Sequence, residues 1–253
     1  MASPTYYVPV LIEVEGQSLL AGFTGDVLPL EVYVYALDSA GGVQDFFAQT
    51  LPLDLSQTGA ALKQSGLKYF GHVDLLPGDY TVRVLVRNLE TGRASLKVLP
   101  LTVPDFALGG TVLLPPLFPE APGKWVMVRE GADRQRNVPY PFMLGGEPFI
   151  PAAQPVLARK GETRVPLSAY NLARGEVEVE ARLVASDGSE QSGCEVAGVE
   201  RLAAGAGGPE TLVLDLRHSG LAPGEYTLEV QVTEKSSGKK ATTTTPLVVA
   251  AKG

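Results

Sequence analysis

The sequence predicts an all-β protein built as two tandem β-sandwich domains, over 1–118 and 119–253, and three observations carry that expectation. The stretch from Leu75 to Val103 returns 146 residues later as Leu221 to Val249. Extended back three residues to pair the only two histidines, His72 and His218, the copies share 12 identities in 32 ungapped columns, the signature of an internal duplication. Each copy then alternates apolar and polar residues with the period of two that a half-buried strand requires. The rest of the chain is a series of short segments punctuated by turn residues, without a long amphipathic helix.

Both copies begin Leu-x-Pro-Gly-x-Tyr-Thr: Leu75, Pro77, Gly78, Tyr80 and Thr81 return as Leu221, Pro223, Gly224, Tyr226 and Thr227. Pro sets the turn and Gly supplies its permissive position. A Tyr at the entry to the penultimate strand, its hydroxyl satisfying nearby backbone, matches the tyrosine corner of immunoglobulin-like sandwiches. The fold class is therefore immunoglobulin-like, or fibronectin III-like, in each half. Polar hairpin loops, 88–93 and 235–240, separate these strands from the last ones. There Pro100 and Pro246 fall in one column and mark an edge or a change of sheet.

Taken in order, Thr5 to Glu13 reads as a first strand, with Pro9 pointing to an edge position. Gly16 to Gly25 reads as a loop. Leu28 to Leu37 and Val43 to Leu53 form a hairpin about Asp38-Ser39-Ala40-Gly41-Gly42. Ser56 caps one or two helical turns closed by Gly66, and Leu67 to Leu75 returns to strand. From Pro104 to Gly123 the composition suits a semi-rigid connection. The second domain opens on the strand Lys124 to Arg129, followed by a polar loop, 130–137, and a proline-punctuated segment through Pro151. Strands follow at 155–158, 163–170, 176–185, 194–202 and 211–218, and 203–209 is a loop.

At 253 residues, with 45% hydrophobic and 19% charged residues, the chain has room for two cores and is not disordered. Its net charge of −7 disfavours nucleic acid and anionic membranes as partners. Its apolar runs stop short of a membrane helix, so no membrane insertion is expected. Met1-Ala2-Ser3-Pro4 lacks the basic and apolar regions of a signal peptide. The chain is read as a secreted or envelope fragment in preference to a cytosolic protein.

Titratable groups that could converge are scarce. His72 and His218 share one repeat column, so they fall in different domains, and a local structural role is favoured over catalysis or metal binding. One cysteine, Cys194, excludes an internal disulfide. The adjacent Glu195 would raise its thiol pKa, so a half-buried side chain is favoured over a nucleophile. Glu176, Glu178 and Glu180 line one strand face and read as solvated, against the alternative of a calcium site. No nucleophile elbow or phosphate-binding loop occurs. No enzyme activity, cofactor or metal is therefore expected.

Two aromatic groups remain. Tyr33, Tyr35, Phe46 and Phe47 crowd one hairpin whose Leu30, Val32, Val34 and Ala36 already face a core. They are the candidate interaction surface, unless other parts of the chain cover them. Trp125, Tyr140, Phe142 and Phe149 could form a carbohydrate-stacking platform, although their flanking prolines favour packing at the domain junction.

Several runs carry a resemblance: 7–16 (Tyr-Val-Pro-Val-Leu-Ile-Glu-Val-Glu-Gly), 34–38 before 43–47, 76–87 with its Pro-Gly-Asp-Tyr-Thr, and 141–149 (Pro-Phe-Met-Leu-Gly-Gly-Glu-Pro-Phe). Together they resemble the region that follows the A domain in bacterial von Willebrand factor A-related (VWFA-related) proteins. The resemblance implies a secreted or envelope-associated accessory region with no catalytic residues to carry over. The A domain's Asp-x-Ser-x-Ser metal motif is absent. The expected function is a non-catalytic binding or spacer module acting in protein–protein interaction or adhesion, with carbohydrate binding around Trp125 as the alternative. The edge prolines favour a monomer over assembly by strand addition.

Overall fold

The computed structural model describes residues 5–120, 125–129, 140–203 and 208–251. The protein is all-β, and its chain divides into two compact units. Unit 1 is Met1–Asp105 with Pro122–Pro141; unit 2 is Phe106–Ala121 with Phe142–Gly253. In chain order, unit 1 begins with β1 (Tyr6–Val14), α1 (Gly16–Leu20), β2 (Val27–Leu37), β3 (Val43–Asp54) and α2 (Leu55–Ser65). It continues through β4 (Leu67–Leu75), β5 (Gly78–Asn88) and β6 (Ala94–Val103). After a 3-10 turn at Phe106–Leu108 come β7 (Val112–Leu113), β8 (Pro119–Glu120) and β9 (Val126–Arg129). The remainder is β10 (Met143–Leu144), β11 (Glu147–Pro148), β12 (Ile150–Pro151), β13 (Val156–Leu157), β14 (Gly161–Tyr170) and β15 (Val177–Ala185). It ends with β16 (Glu190–Gln191), β17 (Cys194–Leu202), β18 (Glu210–His218), β19 (Gly224–Glu234) and β20 (Lys240–Val249).

In unit 1 the order β3-β2-β5-β6 makes one sheet and β1-β4-β9 the other. Alternation decides what they bury. Leu28, Leu30, Val32, Val34 and Ala36 of β2, with Val82, Val84 and Val86 of β5, meet Ile12, Leu67, Tyr69, Val73 and Leu75 from the second sheet in one core. Unit 2 repeats the plan, with β13-β20-β19-β15-β16 on one side and β17-β18-β14-β7 on the other. Its core joins Leu183, Leu228, Val230, Val232 and Leu247 to Val165, Leu167, Leu212, Leu214 and Leu216.

The duplicated stretch is duplicated in structure. Tyr80 pairs with Leu101 and Thr81 with Pro100, as Tyr226 pairs with Leu247 and Thr227 with Pro246. The Tyr80 hydroxyl donates to the Leu76 carbonyl at 2.8 Å, and the Tyr226 hydroxyl to that of Ala222 at 3.1 Å, each four residues upstream. Gly78 and Gly224 stand at φ 153° and 156°, a conformation side chains rarely adopt. That is why this column carries glycine twice. The histidines share a repeat column but not an environment: His72 alternates away from the core residues Tyr69, Val73 and Leu75 and packs beside Tyr7 at 5.0 Å, whereas His218 shares the parity of Leu214 and Leu216 and its Nε2 lies 3.1 Å from the Thr163 hydroxyl.

Some elements differ from the sequence expectation. Gly16–Leu20, expected within a loop, is the short helix α1. The N-cap of α2 is Asp54, whose carboxylate accepts from the Ser56 amide at 2.9 Å; Ser56 itself lies inside the helix. Both residues are capping types, and the carboxylate reaches the first-turn amide. Val126–Arg129, expected to open the second half, lies in unit 1 as the parallel neighbour of β4. The reason lies in β4, which is buried on both faces. The ammonium of Lys68, wholly buried, sits 4.3 Å from the Trp125 ring centre and 3.1 Å from Glu13, while Phe70 meets the edge of Tyr140 at 5.3 Å. The returning segment thus supplies cover that β4 needs. Conversely, Val112–Leu113 is built into unit 2, pairing with the end of β14. The loop expected at 130–137 lies outside the described residues.

Two outcomes follow. Tyr80→Phe and Tyr226→Phe should each destabilise their unit by about 1 kcal/mol, the net worth of one hydrogen bond, in urea unfolding followed by circular dichroism. Burial pushes the His218 imidazole below its ordinary pKa of 6.5, against a backbone bond to Ala158 that raises it. The unfolded chain therefore takes up that proton more readily, and stability present above pH 6.5 declines as pH falls below it. His218→Gln should flatten the slope of unfolding free energy between pH 7 and 5.

Candidate interaction surface

The outer face of the β3-β2-β5-β6 sheet is built by the same alternation that fills the core. With Val32 and Val34 turned in, Tyr33 and Tyr35 turn out. Tyr35 lies opposite Phe46 on β3 and Arg83 on β5, and Tyr33 opposite Ala48 and Leu85. Tyr33 and Tyr35 stack with centroids 6.4 Å apart and planes 5° from parallel; Tyr35 and Phe46 stack at 5.7 Å and 12°. The three rings make a continuous ladder across two strands, the kind of cross-strand aromatic pairing that stabilises a sheet face. Phe46 is 49% exposed, and both tyrosines are half-buried.

Phe47 does not belong to this surface. It is 2% exposed and packs on Tyr69 in the core, with ring centres 5.8 Å apart. Adjacent strand residues point to opposite faces, so Phe46 and Phe47 cannot share one. Gly71 completes the fit, because a Cβ there would stand 2.7 Å from the Phe47 ring. The inward register of β3 is also tied down by polar bonds. The Asp45 carboxylate accepts from the Asp74 amide at 2.8 Å, and Gln49 accepts from the Tyr69 hydroxyl at 2.7 Å.

The surface extends further than the hairpin aromatics suggest. Leu85 lies opposite Leu96, and Arg83 opposite Val98, on the edge strand β6; Leu96 and Val98 are 60% and 54% exposed. The ladder therefore continues as an apolar face across all four strands, with the Arg83 guanidinium in its middle. Glu31 accepts two bonds from Arg87, at 3.0 and 2.6 Å, along one margin. Burial and the neighbouring Glu31 carboxylate hold the Tyr33 hydroxyl above its ordinary pKa.

The duplication supplies an internal comparison for this face. In the columns of Arg83, Leu85, Leu96 and Val98, unit 2 carries Glu229, Gln231, Thr242 and Thr244. Glu229 there is bonded to Arg182 at 3.1 and 2.6 Å, and Thr242 and Thr244 are exposed. Leu85, Leu96 and Val98 were not among the residues expected at the surface. Their signal lay in the repeat alignment, where the same outward columns are apolar in one copy and polar in the other.

The second aromatic group is divided between the two units. Trp125 and Tyr140 belong to unit 1, and Phe142 and Phe149 to unit 2. Trp125 is half-buried over Lys68, and Tyr140 lies between Phe70 and the Arg129 guanidinium, 4.8 Å from its ring centre. Phe142 is buried beside Phe149, at 6.2 Å.

Among the described residues, no group of three or more His, Cys, Asp or Glu is placed to hold a metal ion. Glu176 pairs with Lys235 at 3.0 Å. Among the described residues, no helix is long and apolar enough to cross a membrane. No family model matches the chain, and no curated protein matches it in sequence.

Cys194 is half-buried, and burial with the adjacent Glu195 carboxylate pushes its thiol up to about 11. Its reaction with a disulfide reagent should be far slower than that of free cysteine at pH 7.5. The rate should climb about tenfold per pH unit until the thiol titrates near 11, as followed by absorbance of the released thiolate.

Proposed function

We propose that this chain is a non-catalytic protein-binding module, an accessory part of an exported assembly, and that it recognises its partner through the outer face of the β3-β2-β5-β6 sheet. The observation that carries this reading is the contrast between the two copies. One framework presents Tyr33, Tyr35, Phe46, Leu85, Leu96 and Val98 in unit 1, where the matching face of unit 2 is polar. Aromatic side chains with an arginine among them, on an exposed sheet face, have the composition of the energetic centres of protein interfaces. The stacked rings are held in place before binding, so little side-chain freedom is lost on association. Arg83, exposed at the centre of the patch, favours a partner that brings a carboxylate to an apolar contact.

Photo-crosslinking on the intact chain tests this. A benzophenone amino acid at position 98 should form a discrete protein adduct in an extract of the native source, while the same group at the matching position 244 should not. Tyr35→Ala should lower the yield at least tenfold. Equal adducts at both positions would sink the proposal, as would selective retention on a glycan array that Tyr35→Ala leaves intact.

A further inference from the structure

The geometry assigns a second binding site, for an extended polypeptide strand, to the open side of unit 1 between β1 and β6. Both strands are edges of their sheets, β1 in the order β1-β4-β9 and β6 in the order β3-β2-β5-β6. Between them lies a groove of about 320 Å³ lined by Val8, Val10, Ile12, Val82, Val84 and Leu99. It exposes part of the core face of the sandwich, a different surface from the aromatic face.

What belongs in such a groove is shown by unit 2, where the equivalent side is closed. There an extended segment runs along the free edge of β14. Leu113 pairs opposite Ala169, and the amides of Leu114 and Leu117 donate to the carbonyls of Ser168 and Pro166 at 2.9 and 2.8 Å. The segment also reaches the last strand, where the Thr245 hydroxyl donates to the Pro116 carbonyl at 3.3 Å. Leu113 and Phe118 sink into the core at 8% and 4% exposure. Under this cover Thr243, Thr245 and Leu247 of β20 are 7%, 7% and 2% exposed. The same three columns in unit 1 hold Lys97, Leu99 and Leu101. Lys97 is exposed, Leu99 is 52% exposed and Leu101 is half-buried.

Unit 1 therefore has the two edges and the apolar floor, and its described residues place no strand over them. The occupant that fits is a strand of a separate polypeptide with the chemistry of Val112–Phe118: extended, uncharged, with branched apolar side chains for the floor and backbone amides for the free edge of β1. This is recognition by strand addition, with main-chain bonds giving affinity and side-chain pockets giving selectivity. It deepens the protein-binding reading, but it stands on a different surface, so the two fail independently.

A synthetic peptide of residues 111–120, TVLLPPLFPE, is the probe, with binding to the full chain read by fluorescence anisotropy. Saturable binding is expected, weakened at least tenfold by Leu99→Asp and unchanged by Tyr35→Ala. Leu99 is half-exposed, so the substitution places its charge in the groove without emptying the core. A peptide N-methylated at the positions of Leu114 and Leu117 should bind at least tenfold more weakly than its parent. Amides of β1 should gain protection from hydrogen exchange when the parent peptide binds. Absence of binding at millimolar peptide, equal binding by Leu99→Asp, or equal binding by the N-methylated peptide would overturn the proposal. Self-association without peptide that Leu99→Asp abolishes would assign the groove to a second copy and overturn the separate partner. Loss of binding in Tyr35→Ala would move the site to the aromatic face.

Discussion

Every long strand here has at least one face that must leave water, and the structure follows from how that demand is met. Burying a Val or Leu side chain is worth about 1.5–3 kcal/mol, so a sheet whose strand β2 alone turns Leu28, Leu30, Val32, Val34 and Ala36 to one side cannot stay unpartnered. Two sheets laid face to face satisfy the demand along their floors. They do not satisfy it along their sides, where the outermost inward side chains have a neighbour on one flank only. The residues that close those sides, more than the strands of the floor, distinguish unit 1 from unit 2.

Local chemistry makes the repeated floor robust. A tyrosine hydroxyl bonded to the carbonyl four residues earlier fixes where the penultimate strand starts, and glycine in a conformation other residues rarely adopt fixes the turn before it. With the start fixed, period two decides which residues enter the core, because a slip of one residue would send each inward valine to solvent. The outward positions were then free to diverge. In unit 2 they became glutamate, glutamine and threonine, while in unit 1 they became leucine and valine beside a tyrosine ladder.

This separation explains what was legible in the sequence. The duplication, the strand alternation, the Pro-Gly-x-Tyr turn and the outward Tyr33 and Tyr35 depend on neighbours close along the chain. Phe46 and Phe47 were drawn together by composition, and only parity separates them. The parallel pairing of Val126–Arg129 with β4 escaped notice because its cause is distant: Lys68 and Phe70 need cover on the outer face, and nothing within their own segment announces it. The buried Lys68 is the hardest case. Its partner Glu13 lies 55 positions away, and only the β1–β4 register brings the ammonium to the carboxylate while Trp125 shields it. The aromatic face was half legible, since Leu85, Leu96 and Val98 stand out only when the copies are compared column by column.

The shared proline of the last strands bears on how a sandwich side can be closed. Pro100 and Pro246 each pair inward with a threonine, and proline is tolerated on an edge strand because it leaves no donor on the open side. A strand joining that edge finds a gap in the ladder at this column. In unit 2, β13 pairs with β20 only beyond the gap, at Val248 and Val249, where the Val248 amide donates to Pro155 and the Ala250 amide to Leu157. The segment that covers the rest of the side takes its main-chain bonds from β14 and meets β20 through the Thr245 side chain. A proline in the final strand thus divides the work of closure: the opposite sheet supplies the backbone ladder and the last strand supplies side chains. In unit 1 the same division assigns the ladder to β1 and the apolar contact to Leu99 and Leu101. The edge proline removes one donor from the open side of β6, and the groove beside it is where the proposed strand would take its ladder from β1.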